Sequence, residues 1–196
     1  AISWFQNLGG GVFAPEAPVG PGSELTPADV DGDGDADLVV YEVTGALRWI
    51  ENQGGGAFGG PTLISDEVEV IGPLRCADLD GDGLMDVLST SDPDRIEFFL
   101  NLGNGSFSGP HVITQSAFLP EAVRTADLDH DGDLDVISAS LGDDKVAWYS
   151  NNGGQFGAQQ IITVNADLVE SIEAADVDAD GFLDVLSVSA LDDKVA

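Results

Sequence analysis

Asp78-Leu79-Asp80-Gly81-Asp82-Gly83-Leu84-Met85-Asp86 decides how this chain is read. Asp stands at positions 1, 3, 5 and 9 of these nine residues, and Gly at position 6. The pattern recurs from Asp29, Asp127 and Asp176, so four copies follow one another at intervals of 49 residues. A fixed period of this length marks a tandem array of one supersecondary unit.

Outward from the second copy the chain reads as short strands. Residues 73–77 run into the loop. Residues 86–90 (DVLST) alternate, and 95–100 (RIEFFL) are apolar and aromatic. Residues 107–114 form a fourth run with Pro110 inside it, which suits an edge. Asp92-Pro93-Asp94 and the Gly/Asn-rich residues 101–106 supply the turns between them. No window carries the 3.6-residue period and caps of a helix. The expected fold class is therefore all-β: a β-propeller of four-stranded antiparallel blades. Residues 1–196 form one repeat domain whose four repeats are part of a larger propeller or of a repeat assembly.

The copies share further landmarks. Trp4, Trp49, Phe98 and Trp148 are each followed three residues later by an asparagine: Asn7, Asn52, Asn101 and Asn151. Beyond the glycine turn come Phe13, Phe58, Phe107 and Phe156. These aromatics are expected to pack blade against blade, with sugar stacking by Trp49 or Trp148 as the other use. In this register the first and last repeats are incomplete. The chain opens on a third strand at Ile2-Ser3-Trp4-Phe5 and stops as another begins at Lys194-Val195-Ala196. Either the N-terminal strands complete the last blade, or the chain is a segment of a longer array. The overlap of Ala1-Ile2-Ser3 with Lys194-Val195-Ala196 favours the segment, and any leader or anchor is expected outside it.

Composition narrows the partners. Against 36 Asp and Glu stand six Lys and Arg, a formal charge of -30. Nucleic acid and anionic membrane both require a basic surface, so neither is expected as a partner. No stretch is long and apolar enough to insert in a bilayer as a helix. Hydrophobic residues make up 43% of the chain, enough to bury a core. The lone cysteine, Cys76, has no partner for an internal disulfide and is expected to act as a small buried hydrophobe.

Half of the acids, 18, lie in the four loops, so their charge calls for a bound neutraliser. Carboxylates at positions 1, 3 and 5 of a tight turn converge on one point, Gly at 6 allows the bend, and Asp at 9 closes the cage. Oxygens in such number and at flexible distances suit Ca²⁺ better than Mg²⁺. The expected ligands of loop one are Asp29, Asp31, Asp33, the carbonyl of Asp35, and Asp37. Loop two offers Asp78, Asp80, Asp82, the carbonyl of Leu84, and Asp86. Loop three offers Asp127, Asp129, Asp131, the carbonyl of Asp133, and Asp135. Loop four offers Asp176, Asp178, Asp180, the carbonyl of Phe182, and Asp184. An EF-hand is excluded: its twelfth position needs Glu, and here it is Val40, Ser89, Ser138 or Ser187. His130, at position 4 of loop three, is expected to face solvent.

The run Ala77-Asp78-Leu79-Asp80-Gly81-Asp82-Gly83, then Asp86-Val87-Leu88, an aromatic strand and a segment such as Phe58-Gly59-Gly60-Pro61 resembles the FG-GAP/VCBS repeat of integrin-α-like β-propellers. The second half is degenerate elsewhere: Phe13-Ala14-Pro15, Phe107-Ser108-Gly109-Pro110 and Phe156-Gly157-Ala158. The resemblance implies Asp loops that join the first and second strands of each blade and hold structural Ca²⁺ on one rim. It also implies an extracellular or cell-surface role in adhesion, assembly or sugar binding. The expected partners are a protein or further copies of the array, with glycans as the alternative. No catalytic residues are expected, since GxSxG, HExxH and P-loop patterns are all missing from the sequence, and a module of a polysaccharide-acting enzyme is the further alternative. Arg75, Arg124, Lys145 and Lys194 are expected to pair with nearby carboxylates.

Overall fold

A computed structural model describes residues 1–68, 72–91, 93–190 and 194–195, the last two as backbone alone. Asp92 and the second Asp-Asp-Lys turn, with the side chain of Lys194, lie outside the described residues. All regular structure described is β. The chain opens with β1 (Ile2–Trp4), a hairpin of β2 (Asn7–Gly9) and β3 (Val12–Phe13), and β4 (Ala17–Gly20). Strand β4 lies in a Pro/Gly-rich stretch, Pro15 to Pro27, and pairs antiparallel with β1 as a sheet of two strands. Pairing of β1 with the last sheet is not seen among the described residues.

Three antiparallel sheets of four strands follow, each in sequence order. The first unit is β5 (Glu24–Ala28), β6 (Asp37–Tyr41), β7 (Leu47–Ile50) and β8 (Thr62–Ser65). The second is β9 (Arg75–Ala77), β10 (Asp86–Ser91), β11 (Arg95–Phe99) and β12 (His111–Thr114). The third is β13 (Pro120–Ala126), β14 (Asp135–Ser140), β15 (Lys145–Tyr149) and β16 (Gln160–Thr163). The fourth has three described strands, β17 (Val169–Ala175), β18 (Asp184–Ser189) and β19 (Lys194–Val195). The sheets stay separate, and none closes on itself. The fourth strand of the second unit starts later than residues 107–114 suggest. Pro110 has no N–H to give to the ladder, so β12 begins at His111, and Phe107 makes only an isolated bridge to Asn101.

The cores lie between units. One cluster joins Val39, Leu47 and Trp49 of the first unit to Leu74, Val87 and Phe99 of the second. A second joins Leu88, Ile96 and Phe98 to Val123, Val136 and Tyr149. A third joins Ile137, Ala139 and Val146 to Val169 and Ile172. Strands β10 and β14 are buried at every residue because a neighbouring sheet covers each face. Their sequences, DVLSTS and DVISAS, mix β-branched, apolar and small residues that fit this double burial. Each unit thus depends on its neighbours for its core, the usual economy of a repeat array.

The third-strand aromatics Trp4 and Trp49 pack on the glycine turn of the next unit. A Cβ placed on Gly56 would lie 2.2 Å from the Trp4 ring, and one on Gly105 would lie 2.5 Å from Trp49. Phe98 meets Phe156 edge-on at 5.3 Å. The packing role expected of these aromatics holds for Trp4, Trp49 and Phe98. Gly105 also has φ of 71°, in the left-handed region. Gly105→Ala therefore combines backbone strain with overlap on a buried ring, and is expected to cost roughly 2–4 kcal/mol in urea unfolding. A cost below about 1 kcal/mol would mean that the turn does not seat the Trp49 ring.

Candidate metal centres

Each nine-residue loop joins the first and second strands of a unit, and its position 9 is the first residue of the second strand. The loops are wound on their own carboxylates. Oδ2 of position 1 accepts the N–H of position 6: Asp29 from Gly34 (3.0 Å), Asp78 from Gly83 (2.9 Å), Asp127 from Gly132 (3.2 Å) and Asp176 from Gly181 (3.0 Å). Position 3 accepts from position 5, and position 5 accepts from position 7 at 2.8–2.9 Å in every copy. The glycine at position 6 has φ of 95°, 89°, 100° and 93° in the four loops, so the bend does need glycine there. Position 4 is left-handed too, including at His130 (62°) and Ala179 (63°), where the side chain makes that conformation costly. His130 is exposed, and its ring stacks on Phe182 of loop four at 5.2 Å.

This winding gathers acids in four places. Carboxylate oxygens of Asp29, Asp31 and Asp33 lie within 4.8 Å of one another, as do those of Asp78, Asp80 and Asp86; of Asp127, Asp129 and Asp135; and of Asp176, Asp178 and Asp184. Asp37 falls outside the cluster of loop one, and Asp82, Asp131 and Asp180 fall outside theirs. Asp37, Asp86 and Asp135 are completely buried and accept two backbone N–H bonds each. Asp184 accepts the Val177 N–H and is exposed. At position 7, Asp35 and Asp133 turn their carboxylates to the glycine turn of the same unit: Gly153 N–H donates to Asp133 Oδ2 at 3.0 Å.

Two observations fit a cation. The described ion pairs are Arg48–Glu42, Arg95–Glu97, Arg124–Glu173 and Lys145–Asp143, so no basic side chain neutralises a loop among the described residues. Asp127 Oδ1 is buried with no hydrogen-bond partner. Its counterparts accept the N–H of position 4, from Gly32 and Gly81, a bond that His130 does not make. A buried, orphaned carboxylate oxygen is what a metal ion would satisfy. Burial pushes the carboxyl of Asp86 up to about 6; N–H bonds from Asn101 and Leu79 pull it down, and Asp80 and Asp82 push it further up. Asp135 is raised for the same reasons. Without a cation, these carboxylates are charged only at a cost.

The loops are also tied to the following unit. Asn101 donates its own N–H to Asp86 Oδ1 (2.7 Å), and its Nδ2 donates to Met85 O (3.2 Å) in its own loop and to Val30 O (2.8 Å) in the preceding one. Asn151 does the same with Asp135 (2.8 Å), Leu134 O (3.0 Å) and Leu79 O (2.7 Å). Their Oδ1 atoms accept N–H bonds from Gly103 and Gly154. The asparagine landmark was visible in the sequence, but its bond to the preceding loop was not.

Three overlapping segments, residues 29–89, 78–138 and 127–187, match the model of the FG-GAP-like repeat. The chain belongs to this family. Each FG-GAP-like match runs from the first aspartate of one loop to position 12 of the next, so each match holds two successive loops, while the asparagine that bonds both loops of the first two matches (Asn101 or Asn151) lies beyond the end of the match. No curated protein matches the sequence. Among solved structures, the FG-GAP-like chain is similar to an Agrocybe aegerita lectin described as recognising non-reducing terminal N-acetylglucosamine. That likeness has a TM-score of 0.69 at 21% identity and covers 94% of this chain and 54% of the lectin. It is also similar to the V. cholerae biofilm matrix protein Bap1, with a TM-score of 0.53 at 19% identity, covering 84% of this chain and 23% of Bap1. The FG-GAP-like chain thus spans about half of the first and a quarter of the second.

Elsewhere the FG-GAP-like units meet the sequence expectations unevenly. Arg124 pairs with Glu173 of the next unit at 2.8 Å, and Lys145 with Asp143 at 2.7 Å. Arg75, expected to pair likewise, instead donates to its neighbouring carbonyl, Leu74 O. The reason is positional: the residue 49 places on from Arg124 is Glu173, but 49 on from Arg75 is Arg124. Cys76 packs against the core between the first and second units, and its thiol is pushed up to about 12 by burial and by Asp86, with Arg75 opposing.

Proposed function

We propose that this chain is a calcium-stabilised β-propeller module of an extracellular or cell-surface protein. It acts in adhesion or assembly through contacts with a protein or with further repeats, and has no chemistry of its own. The observation that carries the reading is the set of four acidic clusters in register, unpaired with basic residues among the described residues, the first three loops being tied together through Asn101 and Asn151. The aspartates at positions 1, 3, 5 and 9, with the carbonyls of Asp35, Leu84, Asp133 and Phe182, are the proposed ligands. An all-oxygen donor set in a flexible loop suits Ca²⁺. Four-stranded antiparallel units whose first strands neighbour one another (β5 with β9, β9 with β13, β13 with β17) support the propeller.

The similarity to a lectin favours a second reading, in which the propeller binds glycans. The similarity to a biofilm matrix protein supports an extracellular place for either. Sites of extracellular modules bind calcium at about 10⁻⁴–10⁻³ M. Equilibrium dialysis at millimolar calcium is expected to retain about four ions per chain, one per cluster. Retention of none would overturn the calcium reading. A glycan array probed at the same calcium concentration separates the two forms, since the adhesive module leaves it blank.

A further inference from the structure

The first strands also wall a cavity of about 460 Å³, to which all four units contribute. Its volume lies in the ~300–1,000 Å³ range of small-ligand sites. The lining is polar and includes Arg75, Arg124, Glu121, Glu170, Ser23 and Ser171. The two arginines occupy the same register position in adjacent units, three residues before their loops. They differ in what they hold. Arg124 gives both Nε and Nη2 to Glu173 Oε1, at 2.9 and 2.8 Å. Arg75 gives Nη1 to Leu74 O, and its Nε and Nη2 have no partner among the described residues. Burial, and next Arg124, pull the Arg75 guanidinium below its ordinary value, with Glu24 (also on the cavity wall) and Glu173 opposing, neither of them within hydrogen-bond reach.

We propose that this cavity is a binding site for a sugar acid with a single carboxylate, such as a hexuronate, anchored on Arg75. An uncommitted Nε–Nη2 edge presents two parallel donors, the geometry that a carboxylate accepts in bidentate fashion. Glu121 and Glu170 supply acceptors for hydroxyl protons, and Ser23 and Ser171 supply groups that donate or accept. The same glutamates, in a chain of charge -30, repel a phosphate or sulfate polyanion, so one carboxylate on a neutral hydroxylated body is the best match. The site is separate from the metal clusters, and it extends the glycan form of the proposed function by naming a ligand class and an anchor.

The test is NMR titration of the calcium-loaded chain with glucuronate, galacturonate, glucose and N-acetylglucosamine. The expected result is saturable shifts with the uronates and about tenfold weaker binding of glucose, because a charge-assisted pair is lost. Arg75→Gln is expected to weaken uronate binding by about tenfold or more, with Arg75→Lys intermediate. Arg95→Gln, which alters an arginine paired with Glu97 outside the cavity, should leave binding unchanged. The melting midpoint of Arg75→Gln is expected to hold, since repulsion from Arg124 and attraction to Glu24 and Glu173 are removed together; a merely structural Arg75 would lower it. Uronate binding that is absent, equal to that of glucose, or insensitive to Arg75→Gln overturns the site. N-acetylglucosamine binding without uronate binding would overturn this site while leaving the glycan reading intact.

Discussion

EGTA is expected to lower the melting midpoint of this chain by roughly 10–20 °C relative to millimolar calcium. At ten times Kd, each bound ion adds about 1.4 kcal/mol to the folded state. Four occupied clusters would together contribute about 5–6 kcal/mol, a large part of the 5–15 kcal/mol by which domains are stable. For a chain of 196 residues each kcal/mol moves the midpoint by about 2–4 °C. Two features keep the ion-free state from compensating. The clustered acids have no basic neighbours among the described residues, and Asp37, Asp86 and Asp135 are buried under the neighbouring structure. Calorimetry with and without EGTA measures the shift. Magnesium should restore less of it, because Mg²⁺ demands octahedral geometry and gives up its water reluctantly. A midpoint indifferent to EGTA would show that backbone N–H bonds alone hold the loops.

Asn151→Ala is expected to destabilise the chain by roughly 3–5 kcal/mol. The substitution removes the donor to Leu79 O and Leu134 O and the acceptor for Gly154 N–H, at a site that is 2% exposed. Each buried group left without a partner costs about 1–3 kcal/mol, and alanine offers no replacement. Asn101→Ala should cost about as much, since Asn101 makes the same bonds one unit earlier. Asn52→Ala should cost clearly less. Asn52 is partly exposed, and its Nδ2 reaches only Ala36 O in its own loop. Urea unfolding of the three variants gives the order. Leu79 O belongs to loop two and Leu134 O to loop three, so the loss of Asn151 should also weaken calcium binding. Part of its cost should therefore vanish in EGTA, a coupling that a double-mutant-style cycle measures directly. Equal costs for Asn52→Ala and Asn151→Ala would refute the inter-unit link.

Much of the loop was legible because its wiring is local. Asp78 Oδ2 reaches Gly83 N–H and Asp86 Oδ2 reaches Leu79 N–H, both within the same nine residues. The spacing of Asp and Gly therefore carries the geometry almost by itself. The strands flanking the loops were legible for a similar reason: alternation and β-branching over five or six residues report a pleat. Pro110 marked an edge, yet the start of β12 after it was missed, because Phe107 looks like a strand residue until its partner is known. The left-handed position 4 was also missed, since His130 and Ala179 hide a requirement that Gly32 and Gly81 satisfy without strain.

By itself the sequence determined the repeat of 49 residues, the all-β class, and four acidic loops of one shape, because each of these is written in residues close together along the chain. The tertiary structure decided what the loops and arginines meet across units. Asn101 reaches back 71 residues to Val30, and Asn151 reaches back 72 to Leu79. Arg124 finds Glu173 49 residues on, while Arg75, with Arg124 in that register, remains unpaired with any described carboxylate. Such contacts depend on how one sheet lies on the next. Packing sets that arrangement through buried surfaces shared by adjacent units, and no window within one unit contains both sides of it.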